Sequence, residues 1–366
     1  MDGLILALNA GSSNVKCALF EAADTSSVVA RSQIDTSGHG EAVVSEVMAW
    51  CAQVAACREV TAVGHRVVHG GVRFQAPIRI DDDIVVALEA LTPLAPLHQP
   101  QSLALIRAVA QNLPGCPQVA CFDTAFHAGQ SDIATRFGLP AELHDQGVRR
   151  YGFHGLSYEY VAGRLAELDP QLAAGRVIVA HLGSGASLCA VQAGRSIDTT
   201  MGFSPLDGLL MSTRPGALDP GAVLYLLQHQ GLTTDQAQDL LYHRSGLLGV
   251  SGISGDMRVL LASDDPAAKR AVDLFAYRIG REAGALASSL GGLEGVVFTA
   301  GIGEHSAEIR ARVGQRLAWL GLRLEEPAED AAGPRRISAR DSRVAAWVIP
   351  TDEEQVIARQ VRQVMA

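Results

Sequence analysis

The sequence predicts an α/β protein of two domains, and three observations carry the prediction. Apolar runs of strand length recur, each closed by a glycine or polar turn, with helical periodicity between them. At 366 residues the chain exceeds one ordinary core, given roughly 150 residues per domain. The pattern of strand, Gly/Ser turn and returning strand occurs at residues 4–20 and again at 177–191, so each half opens with the same device.

Taken in order, Leu4 to Leu8 are continuously apolar, Gly11-Ser12-Ser13 breaks the run, and Val15 to Phe20 resumes in loose alternation. A further strand ends in Gly64-His65-Arg66-Val67-Val68-His69-Gly70-Gly71. Pro100 opens a helix that places Leu103, Ile106 and Ala110 on one face, and Gln118 to Phe122 form a strand that ends at Asp123. In the second half, Val177 to Leu182, Gly183-Ser184-Gly185 and Ala186 to Val191 repeat the opening hairpin. Val272, Phe275, Ile279, Ala283, Leu286 and Leu290 recur three and four apart until Gly291-Gly292 stops that helix. Residues 295–300 read as a buried strand running into the glycines of Gly301-Ile302-Gly303, placed just before a helix N-terminus. Ser306 is the expected N-cap of a helix bearing Ile309, Val313, Leu317 and Leu320, with Glu308 in its first turn. A polar loop over 325–343, a strand over 344–349 and a helix from about Glu353 complete the chain.

Composition excludes several classes. A hydrophobic fraction of 48%, a charged fraction of 19% and a mean hydropathy of +0.16 describe a packed globular chain rather than a disordered one. The formal charge of −9, with no Lys/Arg cluster, argues against nucleic acid as a partner, because such affinity comes mostly from neutralising phosphates. Six scattered cysteines match neither a zinc site nor a disulfide framework and read as reduced core thiols. The N-terminus carries Asp2 where a signal peptide needs positive charge, and His181, Gly183, Ser184, Gly185 and Ser187 interrupt the one long uncharged stretch. The expectation is a cytoplasmic protein without a membrane span.

Three glycine turns follow apolar strands. In the first, Gly11 lets backbone N–H groups approach an anion while Lys16 supplies charge, although an ordinary hairpin turn fits those residues equally well. It is no Walker A loop, because Lys16 sits on the returning strand. His181 to Gly185 repeats the device, and Gly301 to Glu304 adds glycines at a helix start, a favourable anion or nucleotide position. Together the three favour ATP over a dinucleotide. Arg66 and Arg214 lie where strand or loop segments end, and guanidinium matches carboxylate and phosphate oxygens in pairs, although a surface ion pair is the commoner fate of an arginine. Asp123 is well placed for catalysis and is also an ordinary turn residue. Asp256 and Arg258 either reach a nucleotide or pair with each other, and Asp352-Glu353-Glu354 either holds Mg²⁺ or starts the last helix.

Read together, the stretches containing Asn9 to Ser13, Gly64 to Gly71, Ala95 to His98, Phe122 to His127, Arg149 to Gly155 and Val297 to Glu304 resemble, in the same order, those of the acetokinase family of short-chain carboxylate kinases. That family belongs to the sugar kinase, Hsp70 and actin superfamily. The resemblance runs from Leu4 to Arg359 and implies two actin-like (ribonuclease H-like) α/β domains with a central cleft. The first would be residues 1–124 with 354–366, carrying the phosphate loop and substrate arginine; the second, nucleotide-binding, would be 125–353.

The resemblance also implies residue roles. Asn9 and Glu353 would serve Mg²⁺, with Mn²⁺ as its substitute, and Lys16 and Ser12 the ATP phosphates. Arg66 would bind the acid, in an apolar socket of Val68, Leu97, Phe153 and Pro205 sized for a methyl group. Asp123, His154 and Arg214 would be catalytic. Nucleotide contacts would come from His181, Leu182, Gly183, Ser184 and Gly185, from Asp256, Met257 and Arg258, and from Gly301, Ile302, Gly303, Glu304 and His305. The implied reaction is reversible phosphoryl transfer between ATP and acetate, giving acetyl phosphate and ADP, with propionate or another short-chain acid as the alternative substrate. A sugar kinase or ATPase of the same superfamily stands further off. A homodimer is the implied assembly.

Physical chemistry constrains this reading. A carboxylic acid with a pKa of about 4.3 is ionised at neutral pH, so its attack on phosphorus needs no general base, and Asp123 is expected to position rather than to abstract. The demand is for cations around a loose transition state. Several residues depart from the family pattern, among them Asn14, Ser184, Leu156 and Tyr158, Gln99, His305, and the stretch Met211-Ser212-Thr213-Arg214-Pro215 with Ala217, where a Gly-Thr-Arg sequence and a further acid are usual.

Overall fold

The unbroken apolar run near the N-terminus becomes β1 (Leu4–Ala10), buried at every position. A strand of this kind needs cover on both faces, and its alternating side chains supply two opposite cores. Leu4, Leu6 and Leu8 join Val43, Val47 and Cys51 of α1 (Gly40–Val54) and Leu105 and Val109 of α2 (Gln99–Asn112). Ile5 and Ala7 join Val356, Ile357 and Val361 of the last helix, Glu353–Met365. The computed structural model describes residues 3–11, 14–35, 40–55, 58–96, 98–325 and 333–366. The chain divides into two units: Met1–Ala128, Phe153–Tyr160 and Asp352–Ala366 form one, and Gly129–Gly152 with Val161–Thr351 form the other.

In the first unit, β1 lies between β2 (Asn14–Glu21) and β4 (Val60–Val67) in a six-stranded sheet of order β3-β2-β1-β4-β6-β5, with β3 at Val28–Asp35, β5 at Ile78–Arg79 and β6 at Gln118–Phe122. β1, β2 and β3 run antiparallel, β1, β4 and β6 run parallel, and β5 closes the edge antiparallel to β6. The second unit holds β7 (Arg176–Leu182), β8 (Ala186–Gln192), β9 (Arg195–Thr199), β10 (Gly295–Thr299), β11 (Arg335–Arg336) and β12 (Ala345–Val348). Their order is β11-β12-β10-β7-β8-β9, which read from the other edge repeats the first sheet strand for strand, with the same parallel and antiparallel pairings. The repeated hairpin of the sequence is therefore the start of a repeated fold.

Four helices matter for the site, continuing in chain order: α3 (Gly155–Leu168), α4 (Pro266–Ser289), α5 (Ala300–His305) and α6 (Ala307–Leu317). The last helix, Glu353–Met365, is α7. α4 follows the expected periodicity, burying Val272, Phe275, Ile279, Ala283 and Leu286, and left-handed Gly291 (φ 67°) follows its C-cap. Ser306 caps α6 as expected, its hydroxyl accepting from Ile309 N at 3.3 Å. Two expectations need correction. Ala110 is exposed, because the buried residues of α2 end at Val109 and Ala110 falls in the helix's last turn. Gly301 and Gly303 precede α6 as expected but not as an open turn: they lie inside the short helix α5, and the left-handed residue at the strand end is Ala300 (φ 63°).

Gly64 shows how closely α7 closes the first unit. A methyl group there would collide with Ile357 Cγ2 and lie 2.6 Å from Val361 Cγ2. Among the described residues, no helix is long and apolar enough to cross a membrane. Gly64→Ala is expected to destabilise the protein by about 1–3 kcal/mol through overpacking. Gly163→Ala, in α3 where nothing lies within 4 Å of the added carbon, is expected to stabilise it by roughly 0.5–1 kcal/mol. Urea midpoints check both, and a Gly64→Ala midpoint equal to the wild type would place α7 farther from β4 than described.

Candidate active site

The parallel strands β1, β4 and β6 bring Asn9, Arg66 and Asp123 to their common carboxyl end, the side on which open α/β sheets take ligands. Arg66 Nε and Nη2 both donate to Asp123 Oδ2, at 3.0 and 2.6 Å. Arg66 Nη1 donates to Ala10 O at 3.0 Å and, more weakly, to Asn9 Oδ1 at 3.4 Å. Asn9 Nδ2 in turn donates to Glu353 Oε2 at 2.8 Å and Glu354 Oε1 at 2.6 Å, at the start of α7. A guanidinium and four side-chain oxygen groups are thus joined in one hydrogen-bonded relay. Lys16 pairs with Asn9 across the β1–β2 ladder and is exposed.

Electrostatics make this cluster demanding. Asp123 is 1% exposed, and burial lifts its carboxyl above the ordinary aspartate range, while Arg66 pulls it back and Glu353 pushes it further up. The His154 backbone N–H adds a weaker downward pull, although Asp123 Oδ1 has no hydrogen-bond partner of normal geometry. Burial works against the Arg66 charge too, but Asp123, Glu353 and Glu354 outweigh it and the guanidinium stays protonated. Glu354 is also raised, by burial first and by its neighbour Glu353 second, with Asn9 and Lys16 opposing. Arg31 answers part of this charge by pairing with Asp352 and, at 3.4 Å, with Glu354. The donor set around Asn9 and Glu353 is hard oxygen with excess negative charge. Among the described residues, no group of three or more His, Cys, Asp or Glu gathers as a metal cage.

His154 adopts a left-handed backbone (φ 59°), a conformation that costs a residue with a side chain of order 1–3 kcal/mol. Its neighbours hold it there. Gly155 N donates to Asp123 O at 3.0 Å, and any side chain at Gly155 would run into that same carbonyl. On the other side, His127 is fully buried and its Nε2–H donates to Phe153 O at 3.0 Å. Phe153 and Val68 are buried, and the Phe153 ring meets His69 edge to face at 5.5 Å. Ser12 and Leu97 lie outside the described residues.

In the second unit the same strand ends carry the loops. His181 and Leu182 end β7, and Gly183 N donates to Gly185 O at 3.0 Å across the turn. Asp256 caps the short helix Met257–Leu261 and pairs with Arg258, the second of the two readings left open by sequence. Arg214 Nη1 donates to Pro205 O at 2.7 Å. Gly301, Ile302, Gly303, Glu304 and His305 make up most of α5, and the Glu304 carboxylate accepts from Thr351 N at 3.1 Å. Sequence reading missed two residues. Arg310 is 1% exposed, and its Nη1 donates to the carbonyls of Gly303 and Glu304, both at 2.9 Å. Ser212 N donates to Ser184 O at 3.1 Å, and its hydroxyl donates to Gly255 O at 2.7 Å. An arginine three and seven residues before Val313 and Leu317, on the apolar stripe of its helix, was a signal for the first; nothing local marked the second.

A six-stranded sheet of this order, present twice in one chain, is the plan of the actin-like ATPase fold. The chain belongs to the Acetokinase family, whose model matches residues 33–359. It is 50% identical over 390 residues to an acetate kinase of Rhodopseudomonas palustris, covering 99% of this chain and 98% of that one. An acetate kinase of Nitrobacter hamburgensis is 57% identical over 298 residues, covering 81% and 74%. Among solved structures, Porphyromonas gingivalis acetate kinase superposes with a TM-score of 0.87 at 32% identity, with full coverage of both chains. A propionate kinase from Francisella tularensis gives 0.91 at 35%, also with full coverage. The protein is a phosphotransferase with a carboxyl group as acceptor.

Burial drives the His127 pKa down from 6.5 to about 4, the hydrogen bond to Phe153 O opposing. A base depressed on folding contributes stability that is complete above pH 6.5 and lost as pH falls through that interval toward 4. Relative to His127→Gln, which has no imidazole to charge, the wild type is therefore expected to lose stability as pH falls from 6.5 to 4 in urea titrations. Parallel curves would contradict the buried neutral imidazole.

Proposed function

We propose that the chain is an acetate kinase, catalysing reversible, Mg²⁺-dependent phosphoryl transfer from ATP to acetate. The observation that carries this reading is the Arg66 guanidinium, fixed by Asp123 and Ala10, with Val68 two residues further along and Phe153 next to His154, whose backbone N–H faces Asp123, both buried. A small carboxylate placed there meets a cation at its oxygens and apolar carbon at its methyl.

Each residue then has a physical task. Arg66 binds the acetate oxygens and offsets their repulsion from the triphosphate. Asp123 keeps Arg66 oriented, consistent with both hydrogen bonds reaching a single carboxylate oxygen. His154 and Arg214 neutralise charge on the phosphoryl oxygens in the transition state, and Lys16 serves the ATP phosphates. The nucleotide falls to the stretches 181–185, 256–258 and 301–305. Asn9 and Glu353 would hold Mg²⁺, an ion that is ordinarily bound through one or two carboxylates together with water and substrate phosphates. The meeting of the Glu353 and Glu354 carboxylates on the one Asn9 amide supports a cation there. When bound, the ion neutralises the phosphates and helps align them for in-line transfer. A homodimer in the cytoplasm completes the proposal; the five described cysteines are free thiols, as a reducing compartment requires.

The close superposition on a propionate kinase favours propionate as the second substrate to test. Hydroxamate trapping of acyl phosphate, with ATP, Mg²⁺ and a panel of acetate, propionate, butyrate and glycerol, decides the acceptor. Acyl phosphate from acetate at the lowest concentration is expected, and ATP hydrolysis without acyl phosphate would overturn the proposal. Arg66→Ala is expected to raise the acetate KM at least about tenfold, the loss of one charge-assisted pair. Arg214→Ala is expected to lower kcat by about 10²–10³-fold with a smaller change in KM. The reverse pattern would exchange the two roles.

A further inference from the structure

Ser212 occupies a junction that the reaction scheme above does not use. It lies within a single unit and touches one of the proposed nucleotide stretches and the residue that precedes another. Its backbone N–H donates to Ser184 O at 3.1 Å, in the 181–185 turn, and its hydroxyl donates to Gly255 O at 2.7 Å, the residue before Asp256. Its own carbonyl accepts from Leu248 N at 3.0 Å. The contact with residue 255 is close enough that a β-carbon there would collide with the serine oxygen, so glycine and hydroxyl fit each other.

The same loop carries Arg214. Met211 N donates to Arg214 O at 3.0 Å, closing a turn of which Ser212 and Thr213 are the middle residues. Thr213 is anchored elsewhere, its Oγ1 donating to Tyr242 O at 2.7 Å and its carbonyl accepting from Ser245 N at 3.0 Å. Within this turn, the Ser212 hydroxyl is the side-chain strut that runs from the arginine's loop to the Gly255–Arg258 stretch.

We propose that Ser212 is a positioning residue that couples nucleotide binding to the placement of Arg214. Nucleotide seated against residues 181–185 and 256–258 orders Ser184 O and Gly255 O, and Ser212 carries that order into the Arg214 turn. The acetate site on Arg66 takes no part. The idea rests on the nucleotide and Arg214 assignments above, and its test separates the two. One neutral hydrogen bond corresponds to about a three- to tenfold effect.

Three variants, Ser212→Ala, Ser212→Gly and Ser212→Thr, would be compared with the wild type in two measurements. In steady-state kinetics, Ala and Gly are expected to lower kcat about three- to tenfold and leave the acetate KM within about twofold, and Thr, which keeps the hydroxyl, to recover most of the loss. In hydrogen–deuterium exchange, ADP is expected to slow exchange of the segment 206–217 in the wild type and Ser212→Thr, and markedly less in Ala and Gly. Equal kcat and equal ADP protection in all four proteins overturn the proposal, as do a loss that Thr fails to recover and an absence of ADP protection in the wild type. If the wild type makes no acyl phosphate, the acetate kinase reading fails, while the exchange comparison still decides the role of Ser212.

Discussion

The structure of the first unit is organised around one expensive interaction, the ion pair between Arg66 and the nearly inaccessible Asp123. Desolvating two charges costs several kcal/mol per ion, and the attraction between them offsets that only when the remaining hydrogen-bonding capacity is also met. Here each guanidinium nitrogen has a protein acceptor, two on Asp123 Oδ2 and the third on Ala10 O and Asn9 Oδ1, while one Nη2 N–H is left over for a substrate oxygen and Asp123 Oδ1 is left without a hydrogen bond. A pair of this kind is poor evidence for stability. It is better understood as a means of holding a guanidinium in one orientation, with its direction set by three parallel strands whose register the apolar core enforces.

The surrounding backbone is shaped to the same end. His154 sits in a left-handed conformation between Phe153, held by His127, and Gly155, whose N–H is held by Asp123 O. The carboxylate that aligns Arg66 therefore belongs to the residue whose carbonyl aligns the turn of His154. In the second unit the left-handed residue is Ala300, at the end of β10, followed by a short helix whose final carbonyls are held by buried Arg310. Strain at these positions is sustained by fully buried partners, the expected arrangement where a catalytic geometry is pre-formed.

Much of this was legible in the sequence. The paired hairpins announced the duplication, the continuous apolar run of Leu4 to Leu8 announced the strand β1, and Arg66, Asp123 and Asn9 stood at strand ends. Long-range geometry was not legible. No local pattern places Asn9 against Glu353 and Glu354 across more than three hundred residues, or Ser212 against Gly255. The glycines of 301 and 303 misled because Gly-x-Gly reads as a turn, whereas a left-handed alanine makes the turn and leaves them helical. Ala110 misled because the stripe of Leu103 and Ile106 runs on past Val109, the last buried residue of α2, into the helix's final turn.

The claim on which the account turns is that Asp123 acts through Arg66 rather than as a base. A double-mutant cycle combining Arg66→Gln with Asp123→Asn, measured as kcat/KM for acetate, tests it most directly. The account predicts strong coupling, above about 1 kcal/mol, with the double variant little worse than the poorer single one. Independent, additive losses would contradict it and assign Asp123 a chemical role of its own.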